Sequence, residues 1–464
     1  MKPMMCAALA LATGLAVPPL WAEDAAGDWG GQLLGRLRLV VRLKADANGQ
    51  WTGKMESLDQ GNAVLQLADV AATTDQLQFA VPQVNGQYKG QWDGEKKAWV
   101  GTWRQGQPLA LTLTRLQAPL DKPALPKRPQ EEAIASGNWP YTARDVTFDN
   151  KAAGVTLAGT FSAPTGRGPF ATVVLIAGSG PNTRDEDVFG HKVFLVLADA
   201  LNRAGIAVLR YDKRGIGAST GNIALATSED FASDARAALA YLRTRSDVDA
   251  SRLGVLGHSE GGVIAPIVAA DDAGVRFLVL LAGSSVNGQR ILLSQKALIM
   301  RASGQSESQI EKAVSFNRKT FDVVLHAPTV DDAKQQLKAH FDSMVARQEI
   351  SQQQEEQLIA QVTSPWMRYF LSYDPAPTLR KVTVPVLALN GSLDLQVEAV
   401  ENLGAIRQAL AGNHDATVVE MPGLNHLFQT AKTGSPSEYA DIGETMSPVA
   451  LDAITAWVTS RVKQ

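Results

Sequence analysis

Six apolar runs in the later part of the chain constrain its fold more than any other feature. They lie at residues 171–177, 206–211, 253–256, 277–282, 384–389 and 417–421. Each is too continuous for a strand with one face in water and reads as a strand covered on both faces. Helical patterns fall between them, at about 191–203, 230–245, 261–270, 398–411 and 448–461. In the second of these Leu239 and Leu242 face inward, with Thr227 or Ser228 available as N-cap. Strand alternating with helix predicts a mostly parallel sheet with helices on both faces. An opening hairpin precedes it, with Val146 and Phe148 in one strand and Val155, Leu157 and Phe161 in the next. Residues 288–375 break the alternation. They are rich in Gln, Lys, Glu and Ala, with Ile350, Leu358 and Val362 at helical spacing, and they read as a helical cap inserted between two core strands.

The chain has 464 residues, too many for one compact core, so more than one domain is expected. Residues 23–118 read as a small antiparallel β-domain. Leu37, Leu39, Val41 and Leu43 alternate with Arg36, Arg38 and Arg42, which puts the apolar set inward and the arginines in water. The pattern returns at Leu77, Phe79 and Val81 and at Leu109, Leu111 and Leu113. Turn signals at Ala47-Asn48-Gly49, Asn85-Gly86, Asp93-Gly94 and Gln105-Gly106 separate the runs. Trp29, Trp51, Trp92, Trp99 and Trp103 either fill this domain's core or line a ligand groove. Pro119, Pro123, Pro126, Pro129 and Pro140 mark residues 119–140 as an extended linker. The larger domain then occupies 141–464.

Residues 1–22 read as a secretory signal peptide, with Lys2 ahead of an apolar run and Ala22 at a plausible cleavage point. The run falls short of the ~20 residues a membrane span needs. The expected location is therefore periplasmic or secreted. Cys6, the only cysteine, lies inside this leader. A mature chain without thiols has no disulfide, no cysteine nucleophile and no cysteine metal site. A formal net charge of −3 provides no field for nucleic acid or for an anionic membrane.

The chemistry is concentrated at Gly257-His258-Ser259-Glu260-Gly261-Gly262, directly after the run at 253–256 and before a helical pattern. A G-x-S-x-G turn between strand and helix projects the serine hydroxyl from the sheet edge, and its glycines let the backbone pass without a Cβ. A serine hydroxyl needs a base, and the base needs an acid to orient it. The chain supplies both in that order. Asp394 follows the run at 384–389, in Asn390-Gly391-Ser392-Leu393-Asp394. His426 follows the last run, in Pro422-Gly423-Leu424-Asn425-His426. Asp374, Glu398 and Glu401 are competitors for the acid. The expected catalytic residues are Ser259, His426 and Asp394, at the carboxyl edge of the sheet.

Two backbone amides are needed for an oxyanion hole. One is expected from Glu260. The other is expected from the glycine-rich loop Ala177-Gly178-Ser179-Gly180-Pro181, at Ser179 with Gly180 second. Asp212 and Arg214 could touch substrate or pin loops beneath the pocket. Glu260 could pair with a cation or face solvent, and His258 reads as a packing residue. His191, Asp185 and Asp187 have no metal-ligand spacing, so no metal is expected.

These segments, with Asp212-Lys213-Arg214-Gly215-Ile216-Gly217, resemble the α/β-hydrolase superfamily. Within it the chain resembles bacterial EstD-type carboxylesterases with an N-terminal accessory domain. The resemblance covers about 141–464 and implies hydrolysis of short-chain acyl esters without a cofactor. Many relatives carry histidine before the oxyanion glycine, where this chain has Ala177. The expected partner is thus a small ester, with the oligomeric state left open. The competing readings are a serine peptidase of prolyl-oligopeptidase or aminopeptidase type and a non-catalytic binder of glycans or envelope.

Overall fold

The computed structural model describes residues 25–463 except 34–36, 47, 59–62, 85, 106, 119, 121–125 and 348. The expected leader, with Cys6, lies outside the described residues, as do Ala47, Asn85 and Gly106 of the expected turns and part of the linker. Among the described residues, no helix is long and apolar enough to cross a membrane. The chain divides into two compact units, Met1–Pro123 and Ala124–Gln464.

The first unit is one antiparallel sheet of β1 (Gly27–Leu33), β2 (Leu37–Ala45), β3 (Trp51–Ser57), β4 (Ala63–Gln66), β5 (Ala68–Ala72), β6 (Gln76–Val81), β7 (Gly86–Asp93), β8 (Ala98–Gln105) and β9 (Gln107–Arg115). Its order is β4-β3-β2-β1-β9-β8-β7-β6-β5, and β5 returns beside β3, so the sheet is rolled nearly into a barrel. Trp29, Trp99 and Trp103 are fully buried with Leu39, Leu43 and Tyr88, which makes them core rather than groove. Trp92 packs edge-on to Trp29 and Trp99. The alternation in β2 is only partly as expected. Val40 is buried as well as Leu39 and Val41, and Arg42 is only partly exposed, bonding the buried carboxylate of Glu56 at 3.2 Å.

The second unit begins with a departure from the sequence reading. Residues 119–140 are expected to be extended, yet α1 (Pro129–Ala135) forms within them. Proline at the first helical position surrenders no helical hydrogen bond, because that N–H would be unpaired anyway. Gln130 then accepts from the N–H groups of Thr445 and Met446 at 2.7 and 3.1 Å, and Ile134 is buried. These contacts tie α1 to the body of the unit.

After α1 come β10 (Tyr141–Asn150), β11 (Val155–Pro164) and β12 (Phe170–Ile176), then a short hairpin of β13 (Asp187–Val188) and β14 (His191–Lys192). The chain continues through α2 (Val193–Arg203), β15 (Ala207–Tyr211), α3 (Ser228–Arg243), β16 (Val248–His258), α4 (Glu260–Asp271) and β17 (Val275–Leu281). Thr227 is the N-cap of α3, in a reciprocal capping box with Asp230. The stretch without strands forms α5 (Gly288–Ala302), α6 (Glu307–His326), α7 (Val330–Ala346), α8 (Gln352–Val362) and α9 (Pro365–Ser372). They share a small core of Leu293, Phe321, Val324, Leu337 and Phe341. Then follow α10 (Ala376–Leu379), β18 (Val386–Gly391), α11 (Ala399–Ala409), β19 (Ala416–Met421) and α12 (Pro448–Val462).

The main sheet has the order β10-β11-β15-β12-β16-β17-β18-β19. The β10–β11 and β11–β15 pairings are antiparallel and the rest parallel. Alternate side chains supply two cores. Val255, Leu278, Leu280, Val386 and Ala388 meet α3, α4 and α11 on one face. Leu256, Val279, Leu281, Leu387 and Leu389 meet α2 and α12 on the other. This double burial is why the parallel strands read as unbroken apolar runs.

Candidate active site

Ser259 stands between the last residue of β16 and the first of α4, with φ 55° and ψ −117°. Left-handed backbone in a non-glycine residue is strained and persists only where its surroundings impose it. Here Ser259 N–H donates to Leu281 O at 2.9 Å, and Ser259 O accepts from Gly262 N–H at 2.9 Å. The flanking glycines are required. A Cβ on Gly257 would lie 1.9 Å from Gly261 O, and one on Gly261 would lie 2.0 Å from Ile176 O. Among the described residues, the Ser259 hydroxyl makes no hydrogen bond. Contacts of this kind often close only when substrate arrives.

His426 and Asp394 lie on the loops after β19 and β18, at the same sheet edge. His426 Nδ1 is 2.8 Å from Asp394 Oδ2. Asp394 Oδ1 accepts the N–H groups of Gln396 and Val397, each at 2.8 Å. Both residues are buried. The carboxylate is thus held by its own loop on one oxygen and meets the imidazole with the other, so Nε2 is the ring nitrogen outside this contact. The loop turns just past His426 because the buried Asn425 side chain accepts from Leu427 N–H and Gln429 N–H. The competing acids are engaged elsewhere. Glu398 caps α11, Glu401 pairs with Arg290, and Asp374 accepts from Ala376 N–H.

The expected oxyanion loop is braced from both sides. Gly178 N–H donates to Glu186 Oε1 at 2.6 Å. Gly178 O accepts from Lys213 Nζ at 2.6 Å and from Asn182 Nδ2 at 2.8 Å. In a trans peptide the next N–H points opposite to the carbonyl, so Ser179 N–H is aimed away from those donors. Among the described residues, no hydrogen bond occupies the amides of Ser179, Gly180 or Glu260. A Cβ on Gly178 would lie 3.1 Å from Ser259 Cβ, which places this loop against the elbow.

The Glu260 side chain does not face solvent. It bonds Lys213 Nζ at 3.0 Å, Ser228 Oγ at 2.7 Å and Trp366 Nε1 of α9 at 2.7 Å. Trp366 stacks on Phe370. The residue after the serine therefore anchors the inserted helices to the elbow. Lys213 lies over the Phe231 ring, 4.2 Å from its centroid. Both members of the pair are almost fully buried, with side-chain exposures of 5% and 1%. Removing one partner leaves a naked buried charge. Lys213→Met is expected to cost about 3–5 kcal/mol of unfolding free energy, read from the urea midpoint. A loss below about 1 kcal/mol would mean that the pair is not insulated from water.

Asp212 and Arg214 pin loops. Asp212 accepts from Arg184 Nε and Nη2 and from the main chain of Arg184 and Ala218. Burial works to raise its pKa, but these donors prevail and hold it below the usual carboxylate range. Arg214 bonds Asp230 and Asp234. His258 is more than packing. Its Nδ1 is 3.0 Å from Glu186 Oε1 and its Nε2 is 3.0 Å from His426 O. Sequence reasoning missed Glu186 and Lys213. Nothing in Thr183-Arg184-Asp185-Glu186-Asp187 singles out one acid, whereas Lys213 stood inside a segment already noted.

A serine on a strained strand-to-helix turn, with an Asp–His pair on loops at the same carboxyl edge of a parallel sheet, is the arrangement of a serine hydrolase of the α/β-hydrolase fold. The chain belongs to the serine aminopeptidase S33 family (Hydrolase_4), which matches residues 191–430. It is 26% identical to Esterase EstD of Thermotoga maritima over 319 residues, 68% of each chain. Among solved structures it is similar to the Pyrococcus furiosus esterase Pf2001, with 13% identity and a TM-score of 0.43 over 70% of this chain and 91% of that one. It is also similar to Est1E from Butyrivibrio proteoclasticus, solved with ferulic acid, with 15% identity and a TM-score of 0.42 over 69% of this chain and all of that one.

Proposed function

We propose that this protein is a serine carboxylesterase that hydrolyses short- to medium-chain acyl esters through Ser259, His426 and Asp394. The observation that carries the reading is the 2.8 Å contact between His426 Nδ1 and Asp394 Oδ2, which leaves Nε2 as the base at the edge where Ser259 projects. His426 takes the Ser259 proton as Oγ attacks the ester carbonyl. The tetrahedral oxyanion is received by the amides of Glu260 and Ser179, with Gly180 beside them. Collapse expels the alcohol, which receives the proton from His426, and leaves an acyl group on Oγ. Water, deprotonated by the same imidazole, attacks the acyl-enzyme and releases the carboxylic acid. Asp394 stabilises the imidazolium that forms at each stage.

The description of the family raises a second reading, an aminopeptidase. Such an enzyme needs a carboxylate free to bind a substrate ammonium. Glu260 has both oxygens taken by Lys213, Ser228 and Trp366, and Glu186 is buried with Oε1 on His258 and Gly178. The likeness to an esterase also supports ester cleavage. The two readings separate on p-nitrophenyl acetate and butyrate against aminoacyl-p-nitroanilides. The esters are expected to turn over and the anilides to remain. Faster cleavage of the anilides would overturn the proposal.

A further inference from the structure

His258 occupies the position just before the nucleophile, and its surroundings define its charge. One ring nitrogen meets a carboxylate oxygen of Glu186 and the other meets the carbonyl oxygen of His426, both at 3.0 Å. Neither partner has a proton to give. A carbonyl only accepts, and Glu186 Oε1 is already accepting from Gly178 N–H at 2.6 Å. A neutral imidazole carries one N–H and could satisfy only one of the two contacts. Only the doubly protonated ring donates to both. A proton placed on Oε1 instead would face the Gly178 N–H.

We propose that His258 is held as an imidazolium by Glu186 and that this buried pair is a positioning device, locking the loop of the catalytic base and the loop of the oxyanion hole to each other. The proposal rests on the esterase reading above for the roles of those two loops. Through His258 Nε2 the pair grips the backbone of His426 itself, at the residue whose side chain must reach Ser259. Through Glu186 Oε1 it grips the amide of Gly178, one peptide before Ser179. Lys213 and Asn182 hold the other end of the Gly178 unit, so the oxyanion loop has little freedom to rotate. Loss of the His258 charge releases one of the two grips.

The titratable groups that face His258 are Glu186 from the loop before β13, Asp394 from the loop after β18, and His426, whose ring centroid is 4.9 Å away. Burial alone would strip the proton from such a ring. The negative charge of Glu186, its hydrogen bond, the His426 carbonyl and the charge of Asp394 outweigh burial and raise its pKa. Glu186 Oε2 is buried without a partner among the described residues, so the hydrogen bonds of this carboxylate run through Oε1, to His258 and Gly178.

Two measurements test the proposal. The first needs no substrate. In the full chain labelled with ¹⁵N-histidine, one residue among the six is expected to keep protons on both ring nitrogens above the pH at which an ordinary histidine, with a pKa of about 6.5, has lost one, and His258→Phe should remove that signal. If every histidine loses its second ring proton at or below that pH, the proposal fails. The second is the rate at which a fluorophosphonate labels Ser259, with the melting temperature measured alongside. Glu186→Gln keeps the shape and removes the charge. It is expected to slow labelling about 10- to 100-fold while the protein remains folded, because small misplacements of catalytic groups cost that much. The kcat for an ester should fall with it and KM should stay within about threefold. Parental labelling rates in a folded Glu186→Gln protein would also overturn the proposal. If the parent chain is not labelled at all, the esterase reading fails instead, and the nitrogen spectra still decide the charge of His258.

Discussion

Ser259→Ala is expected to lower kcat on p-nitrophenyl butyrate by about 10⁵- to 10⁶-fold and to abolish fluorophosphonate labelling. In the proposed mechanism no neighbouring group can substitute for the hydroxyl, since the acyl group would be carried on that oxygen. What survives is binding and the backbone amides, worth about 10³–10⁴ over the uncatalysed reaction in triad enzymes. The fold should not change. The Ser259 hydroxyl makes no hydrogen bond among the described residues, and the strained φ of 55° is imposed through the main chain by Leu281 and Gly262. Alanine has the same Cβ and inherits the same strain. Unfolding free energy should therefore stay within about 0.5 kcal/mol of the parent. A folded variant that keeps more than about 1% of parental turnover would remove Ser259 from the reaction.

The contrast between this null effect on folding and the Lys213→Met prediction shows which parts of the site were legible in the sequence. The elbow was readable because its chemistry is local: strand, Gly257, Ser259, Gly261 and helix are contiguous, and the glycines are explained by clashes near 2 Å. Asp394 and His426 were readable because a parallel sheet delivers every strand's carboxyl end to one edge. The bracing residues were not. A cation partner for Glu260 was one of two open readings, but its identity and the triple contact were not legible, because Lys213, Ser228 and Trp366 approach it from three separate segments. His258 looked like packing because its partners, Glu186 and His426 O, are far from it in sequence and one of them is main chain. Proline content misled at Pro129, where position within a helix mattered more than residue type. In the first unit, period-two alternation identified the strands, but Arg42 is drawn in by Glu56, a residue on the neighbouring strand β3.

Asp394→Asn separates charge from shape in the same site. Its expected effect is a loss of about 10⁴-fold in kcat, with a fold as stable as a neutral isostere permits. The asparagine carbonyl oxygen would keep the N–H groups of Gln396 and Val397, which Asp394 Oδ1 now accepts at 2.8 Å each. That geometry leaves the amide nitrogen where Oδ2 now stands, opposite His426 Nδ1. An NH₂ group donates, so Nδ1 must become the acceptor and the ring proton must move to Nε2. The nitrogen that should accept the Ser259 proton is then already protonated, and the imidazolium has lost its counter-charge. Asp394→Ala makes the argument sharper, because it removes the forced tautomer together with the carboxylate. Alanine should therefore be no worse than asparagine in kcat but less stable, since two N–H groups of the loop lose their acceptor at a cost of about 1–3 kcal/mol each. Measuring kcat and the urea midpoint for both variants decides the matter. If Asp394→Asn retains turnover within about tenfold of the parent, the tautomer argument fails and the acid must be sought elsewhere.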